Sequence, residues 1–137
     1  MTAITLLACP QRIFEVSSAQ YHSDINYTHA LLSSIVSAFN APINISASQI
    51  QNLAVTTGGS RYLHRILYSP ISSIDVTYQI LINSKYPSAA YSSQLSNFVS
   101  SGSFTTNLHN YALLYRTPGF MNASCSSVAI GEDRFVT

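Results

Sequence analysis

The stretch Ser73-Ile-Asp-Val-Thr-Tyr-Gln-Ile-Leu-Ile-Asn83 is the clearest strand in the chain and decides the predicted fold. Its apolar and polar side chains alternate, as a strand with one buried face requires. β-Branched and aromatic residues dominate it, and these residue types favour a pleated, half-buried surface. We therefore predict a central strand of a sheet that is covered on one side only. The buried face would hold Val76, Tyr78, Ile80 and Ile82, and the other face Asp75, Thr77, Gln79 and Asn83.

The composition is unusual in its charge. Asp, Glu, Lys and Arg make up 8% of the 137 residues, where about 25% is typical. The net charge of +1 favours neither nucleic acid nor an acidic membrane, and no apolar run reaches the roughly 18 residues of a membrane span. A surface built from 23 Ser, 10 Thr and 9 Asn residues indicates a glycosylated exterior, a densely packed assembly, or compositional drift alone.

Further segments on both sides of this strand complete the predicted order of elements. The helices are indicated by apolar stripes at spacing i, i+4, i+7, i+8, and the strands by β-branched runs between turn residues. The predicted strands are 12–17 (starting as early as Ile4), 43–57, 74–83 and 125–130. The predicted helices are 26–40, 89–101 and a short one over 104–112.

This order predicts one α+β domain over residues 1–137, with its core in about 12–131. Strand, helix, two strands, helix and strand form the ferredoxin-like βαββαβ arrangement. Handedness rules place both long helices on one face of a four-stranded antiparallel sheet. The expected spatial order of the strands is 4-1-3-2, in which strand 74–83 is central. Its second face, with Thr77 and Gln79, would then be open.

Two cysteines, Cys9 and Cys125, lie near opposite ends of the chain. In an oxidising compartment they could form a disulfide across a loop of over 100 residues, worth about 4 kcal/mol in the chain-entropy model. The alternative is a pair of buried free thiols, which is common in protein cores. No spacing of cysteine and histidine typical of a metal site is present.

Three segments resemble the SEA-like ectodomain repeats of large secreted and cell-surface proteins of algae and related protists. They are Phe14-Glu-Val-Ser-Ser-Ala-Gln-Tyr21, Ser72-Ser-Ile-Asp-Val-Thr-Tyr-Gln-Ile80 after the connection 60–67, and Tyr91-Ser-Ser-Gln-Leu-Ser-Asn-Phe-Val-Ser-Ser-Gly-Ser-Phe104. The run from Leu95 to Ala112 is the most distinctive, and the resemblance covers most of residues 12–131. It implies a βαββαβ fold and a non-enzymatic structural or adhesive role outside the cell.

The same resemblance raises the question of self-cleavage, because true SEA domains can cut themselves between Gly and Ser in a strained turn. Gly59-Ser60 occupies the corresponding loop, but Arg61-Tyr62 follow it and the next strand starts about 14 residues later. A tight turn is hard to build from so long a connection, so we expect an ordinary glycine turn here.

Other catalytic or metal chemistry is not indicated. The five carboxylates are scattered or adjacent near the C-terminus, and no pair is placed for acid–base work. His22, Asp24 and His29 could meet at a metal ion, although surface histidines near a helix start are the more ordinary interpretation. We therefore predict no enzyme activity, no metal and no cofactor.

The polar surface supplies the remaining candidate sites. Asn26, Asn44 and Asn122 begin Asn-x-Ser/Thr sequons, which could carry glycans if the protein is secreted or at the cell surface. The contact surface is predicted to include Thr77 and Gln79 on the open sheet face, and Tyr62, Tyr68, Tyr86 and Tyr115 in connections. We expect a structural or adhesion module that packs with itself or with other proteins. The alternative is a module that binds a carbohydrate or small ligand on the open sheet face.

Overall fold

The computed structural model describes residues 3–40, 43–58, 72–82, 86–125 and 127–136. Five strands are present in these ranges: β1 (Ala3–Ala8), β2 (Gln11–Phe14), β3 (Ile50–Thr57), β4 (Ser73–Ile82) and β5 (Gly131–Val136). The helices are α1 (Ser18–His22), α2 (Ile25–Val36), α3 (Ser88–Ser100) and α4 (Ser103–Tyr115), with short 3₁₀ turns at Ala47–Gln49 and Pro118–Phe120. No helix among these residues is long and apolar enough to cross a membrane.

Strand β4 is central, because it pairs with neighbours along both of its edges. Val76 lies opposite Gln11 of β2 on one side and opposite Val55 of β3 on the other. Farther along, Gln79 lies opposite Ala8 of β1 and Gln51 of β3. All of these pairings are antiparallel, and β5 pairs with the far edge of β1.

Strands β1 and β2 form one line along β4 that is interrupted at residues 9 and 10. Pro10 has no N–H to contribute to a ladder, so the regular pairing stops there. The backbone still bonds to β4 within this break, because the Cys9 N–H donates to the Tyr78 carbonyl at 2.9 Å. Together β1 and β2 cover residues 3–14, so the predicted strand begins near the early limit Ile4 and ends at Phe14 instead of residue 17, and residues 18–22 form α1.

The predicted last strand was wrong in its position. The backbone of the described residues 124, 125, 127 and 128 pairs with β2 through two isolated bridges, Phe14 to Ser124 and Gln11 to Val128, and the regular strand is β5 at 131–136. Two hydrogen-bonding side chains of α4 hold the backbone of residues 123 and 125, as described below. These contacts hold the start of the predicted strand against the helix, and regular pairing with β1 begins at Gly131.

The α+β class, the antiparallel sheet and the position of β4 inside it are as predicted. The four-strand order 4-1-3-2 is not confirmed in that form, because the hydrogen-bonded path runs β2-β4-β1-β5 with β3 beside β4. The difference arises at the proline break: both parts of the first strand pair with β4, which therefore has three partner strands.

The helices share one apolar core with the sheet. Val76, Tyr78 and Ile80 of β4 are fully or almost fully buried, and Ile82 is partly buried. Helix predictions 26–40 and 89–101 correspond to α2 and α3, while α4 is longer than the predicted 104–112. The buried helix side chains on this core are Tyr21, Tyr27, Ala30, Leu31, Ile35, Tyr91, Leu95, Val99, Phe104, Leu108 and Ala112.

Candidate functional site: the open face of the sheet

The second face of β4 is the most distinctive surface of the described chain. Asp75, Thr77 and Gln79 alternate with the buried residues of the same strand, and Thr77 is exposed. No described helix packs against this face, because the helix side chains share their core with Val76, Tyr78 and Ile80. As the alternation predicts, Thr77 is exposed and no helix of the described residues covers this face, which is called the open face below.

An ion pair lies in the middle of the open face. Arg12 of β2 is the register partner of Asp75. Its Nε donates to Asp75 Oδ1 at 2.6 Å and its Nη2 to Oδ2 at 3.1 Å. The two side chains are 42% and 35% exposed, so solvent screens them and the pair adds little to folding stability. Its planar bidentate geometry instead gives the face a rigid polar feature.

A groove of about 510 Å³ runs beside this ion pair. Phe14, which is 39% exposed, contributes an aromatic ring to its lining, and Thr77 contributes a hydroxyl. Pro10 and Ala129 also line the groove and contribute small apolar surface. The groove therefore combines an aromatic ring, a bidentate ion pair and small side chains, which is a composition suited to a protein surface or a sugar ring.

Gln79 occupies a more constrained position on the same face. Strand β3 has a register shift between Gln51 and Ala54, and Asn52 within it adopts a positive φ of 55°. This β-bulge re-aims the side chain, so that Asn52 Nδ2 donates to Gln79 Oε1. The Gln79 amide is thus held by its neighbour, whereas Thr77 presents its hydroxyl on the surface.

The tyrosines predicted as contacts have different surroundings. Tyr115 was predicted in a connection, but it is the last residue of α4 and lies within hydrogen-bonding distance of Ser33 on α2, with 3.2 Å between the two hydroxyls. Tyr111 pairs in the same way with Ser37 at 3.0 Å. Tyr86 is partly buried against the core. Tyr62 and Tyr68 lie outside the described residues.

Cys9 and Cys125 are both buried free thiols in this structure. The buried Gln11 side chain connects Tyr78 with Cys125: its Oε1 accepts from the Tyr78 hydroxyl, and its Nε2 donates to Cys125 Sγ at 3.1 Å. The Cys9 thiol instead donates to the Leu7 carbonyl at 3.3 Å. The four polar groups thus form a cluster beneath the helices.

Burial governs the protonation of this cluster. Desolvation raises the pKa of the Cys9 thiol from 9.0 to about 12. Burial also raises the pKa of Cys125, and the opposing effects are the hydrogen bond that it accepts from Gln11 and the one that it donates to the Ser127 carbonyl. The pKa of Tyr78 is raised well above its ordinary value, first by burial and then by the nearby thiols. Because thiolates are the reactive form of cysteine, these groups are suited to packing more than to nucleophilic chemistry.

Helix α4 positions the chain that forms one wall of the groove. Thr105 donates its hydroxyl to the Cys125 carbonyl at 3.2 Å and accepts from the Cys125 N–H at 3.0 Å. His109, one turn later, contacts the Ala123 carbonyl through Nε2 at 2.7 Å. This i, i+4 pair fixes residues 123–125 against the helix, and Ser127 and Ala129 follow on the open face.

The three residues considered for a metal site do not converge. His22 Nε2 contacts the Val55 carbonyl at 3.2 Å, the Asp24 carboxylate accepts from the Asn26 N–H at 2.9 Å as the cap of α2, and the His29 ring packs edge-on against Tyr115. No group of three potential ligands occurs among the described residues.

The sequons differ in accessibility. Asn44 and Asn122 are exposed, whereas Asn26 is half-buried in the first turn of α2. The hydroxyl of Thr28, which completes the Asn26 sequon, lies 2.8 Å from the Tyr21 hydroxyl. The Gly59-Ser60 pair considered for self-cleavage lies outside the described residues.

Sequence reasoning missed the most polar element of the site. Arg12 and Phe14 alternate with the buried Ile13, so the parity of this short run could have placed both on the open face. Their pairing with Asp75 depends on the register of two strands far apart in sequence, for which the chain offers no local signal.

The chain matches no protein-family model, no curated protein and no solved structure in comparisons with known proteins. The fold and the geometry of the open face are therefore the basis of the functional proposal.

Proposed function

We propose that this protein is a non-catalytic structural or adhesion module of the SEA-like, ferredoxin-like type, secreted or displayed at the cell surface. In this proposal it docks to protein partners, either copies of itself or other chains, in a larger assembly. The observation that carries it is the open sheet face, where the Arg12–Asp75 pair and the exposed ring of Phe14 adjoin a groove of about 510 Å³.

The surface chemistry supports a protein partner. Aromatic residues and arginine are enriched at protein interfaces, and small side chains allow close approach of a second surface. The face places Phe14 and Arg12 beside Thr77, Ala54 and Ala129. With 8% charged residues and a net charge of +1, the chain has little long-range repulsion to keep a neighbour away.

The placement of the ionisable side chains supports a non-catalytic role. His22 and His109 contact backbone carbonyls, and the two thiols are buried with raised pKa values. These groups are used in capping and packing, which leaves the open face without an acid–base pair among the described histidines and cysteines.

Site-specific photo-crosslinking tests this proposal. A benzophenone attached at Thr77→Cys would sample the open face, and the same label at Thr106→Cys on α4 is a matched control, because both residues are exposed threonines. Native Cys9 and Cys125 are 0% and 2% exposed and will not take the label. In cells that produce the protein, we expect a discrete protein adduct from position 77 alone, identified by mass spectrometry. Equal adducts from both positions, or none from position 77, would contradict the proposal.

A second candidate function is carbohydrate binding on the same face. It is favoured by the exposed Phe14 ring beside a bidentate ion pair, since a sugar can stack on an aromatic ring and hydrogen-bond to planar polar groups. Heteronuclear NMR titration with a panel of oligosaccharides would show saturable shifts confined to Arg12, Phe14, Asp75 and Thr77. Shifts that are absent or spread over the helices would exclude this alternative.

A further inference from the structure

We propose that Asn44 and Asn122 carry N-linked glycans in the folded protein and that Asn26 does not. All three asparagines begin Asn-x-Ser/Thr sequons, the sequence that the glycosylating enzyme recognises. The inference rests on the proposed function, because only a chain that enters the secretory route meets this enzyme. It is carried by the exposure of each asparagine, by the contacts of its neighbours and by the low charge of the chain.

N-glycosylation adds a bulky polar group to a side-chain amide. The donor is a lipid-linked oligosaccharide: the asparagine Nδ2 forms a bond to C1 of the first sugar, the bond between C1 and the lipid pyrophosphate breaks, and the amide gives up one proton. The glycan is large and solvated, so a folded chain accommodates it only where the asparagine side chain reaches solvent. Burial and neighbouring contacts therefore discriminate among sequons that the sequence alone treats as equal.

Asn44 lies between two core residues and is itself at the surface. Ile43 and Ile45 are 6% and 7% exposed, whereas Asn44 between them is exposed. Ser46, which completes the sequon, lies directly before a short 3₁₀ turn, and its N–H donates to Gln49 Oε1 at 3.0 Å. The two isoleucines and this hydrogen bond hold the backbone in place, so a glycan on Asn44 would extend into solvent.

Asn122 has similar surroundings in the segment that follows α4. It is exposed, whereas Ala123 next to it is 0% exposed and belongs to the core. Ser124, which completes this sequon, exchanges two backbone hydrogen bonds with Phe14, at 2.9 and 3.3 Å. Within the described part of the chain, neither the Asn122 nor the Asn44 side-chain amide has a hydrogen-bond partner. A sugar on Nδ2 would therefore displace no hydrogen bond of the fold.

Asn26 lies in a more tightly packed part of the fold. It is half-buried in the first turn of α2, and Tyr27 beside it is 4% exposed. The hydroxyl of Thr28, which completes the sequon, lies 2.8 Å from the Tyr21 hydroxyl of α1. A glycan on Asn26 would have to move a half-buried side chain close to the contact between α1 and α2. Glycosylation there would lower the stability of the folded protein, so we expect Asn26 to be bare.

The composition of the chain gives an independent argument for glycans. With 8% charged residues and a net charge of +1, little electrostatic repulsion protects the protein from aggregation. A glycan supplies hydration in place of charge. Met121, directly before Asn122, is an apolar side chain that is 42% exposed, and a glycan on Asn122 would shield it.

Glycopeptide mass spectrometry of the protein isolated from the cells that produce it tests the inference, because it reports the sugar mass on each asparagine. We expect sugar on Asn44 and Asn122 and none on Asn26. On a denaturing gel, Asn44→Gln and Asn122→Gln should each remove one step of glycan mass, and the matched control Asn26→Gln should change nothing. Ser124→Ala keeps Asn122 but removes the hydroxyl that the sequon requires, so it should lose the same step as Asn122→Gln.

The location of the protein in these cells separates the glycans from the proposed function. A protein recovered outside the cell with a bare Asn44 or Asn122 would overturn the inference and leave the proposed function intact. Sugar on Asn26 of the folded, secreted protein would refute the discrimination by burial. A chain found only in the cytosol, with all three asparagines bare, would refute both the glycans and the secreted location that we propose.

Discussion

The buried hydrogen bond between Gln11 and Tyr78 makes a quantitative prediction about folding stability. Gln11 is 5% and Tyr78 2% exposed, and the Tyr78 hydroxyl donates to Gln11 Oε1. Tyr78→Phe leaves that buried acceptor without its donor, which costs about 1–2 kcal/mol. Gln11→Met keeps a similar length and leaves the tyrosine hydroxyl unpaired, and it also removes the donor to Cys125 Sγ, so we expect about 1–3 kcal/mol.

The double variant Gln11→Met/Tyr78→Phe removes both partners at once. Replacing both members of a buried polar pair by apolar groups of similar shape is close to neutral, so we expect a loss below about 1.5 kcal/mol. Simple addition of the single losses would instead give about 2–5 kcal/mol. The coupling free energy between the two positions should therefore be about 1–3 kcal/mol in favour of the double variant.

Urea unfolding followed by far-ultraviolet circular dichroism measures these free energies, and it does not depend on the tyrosine signal that the substitution changes. For a domain of this size, each kcal/mol should also lower Tm by about 3–5 °C. Gln11→Met combined with Tyr21→Phe is a matched control, since Tyr21 bonds to Thr28 in a separate part of the structure and those losses should add. If the Gln11/Tyr78 losses also add, the two side chains do not share a hydrogen bond and the reasoning fails.

Three further predictions concern the thiols and the packing of α2. The folded Cys9 thiol has a raised pKa, about 12 against 9.0, so the unfolded chain loses its proton first. Cys9 alone should therefore lower the free energy of unfolding by about 1.4 kcal/mol per pH unit above pH 9. Cys9→Ala should reduce the measured slope by that amount, while the contributions of Cys125 and Tyr78 remain. A thiol reagent should titrate almost no cysteine in the folded protein and both Cys9 and Cys125 in denaturant, whereas a disulfide between them would leave none reactive without a reductant. Gly119→Ala places a Cβ 2.8 Å from the Tyr27 hydroxyl and should cost about 1–3 kcal/mol, measured by urea unfolding; in a Tyr27→Phe background the penalty should shrink, and an unchanged penalty would refute this contact.

The central strand and the helix stripes could be predicted because their signals are local. The alternation of β4 specifies which side chains face the helices, and any one-residue slip would bury Asp75 and Thr77 instead. The stripe of Tyr91, Leu95 and Val99 works in the same way for α3, where all three are buried. In such segments, the spacing of the apolar residues in the sequence matches the face of the strand or helix that the core buries.

The early start of the first strand, near Ile4, was predicted, whereas its end at Phe14 was predicted three residues too late. A proline removes one N–H from a ladder, but the Cys9 N–H still reaches Tyr78, so pairing resumes at Gln11. Helix α1 was also missed, although its signal is present in the sequence: Ser17 and Gln20 form a capping box, with the Gln20 N–H donating to Ser17 Oγ at 3.0 Å.

The candidate site was only half predictable, for a different physical reason. Thr77 was placed on the open face by alternation alone, but the groove also needs Ser127 and Ala129. Their position depends on contacts between residues about 15–20 apart, which no periodic pattern encodes. Tyr115 was assigned to a connection for the same reason: its hydroxyl lies beside Ser33 on another helix, and α4 extends farther than its own apolar stripe indicates.

Helix α4, on the covered face of the sheet, contacts the segment that leads to the groove on the open face. Thr105 and His109 fix the backbone of residues 123–125 from the helix side, and the Ala129 N–H then donates to the Pro10 carbonyl at 3.1 Å. Pro10 and Ala129 both line the groove, so the segment that α4 holds at residues 123 and 125 continues into one side of the groove. The described part of this face holds one ion pair, so any selection of a partner there would depend on the shape of the groove more than on electrostatics.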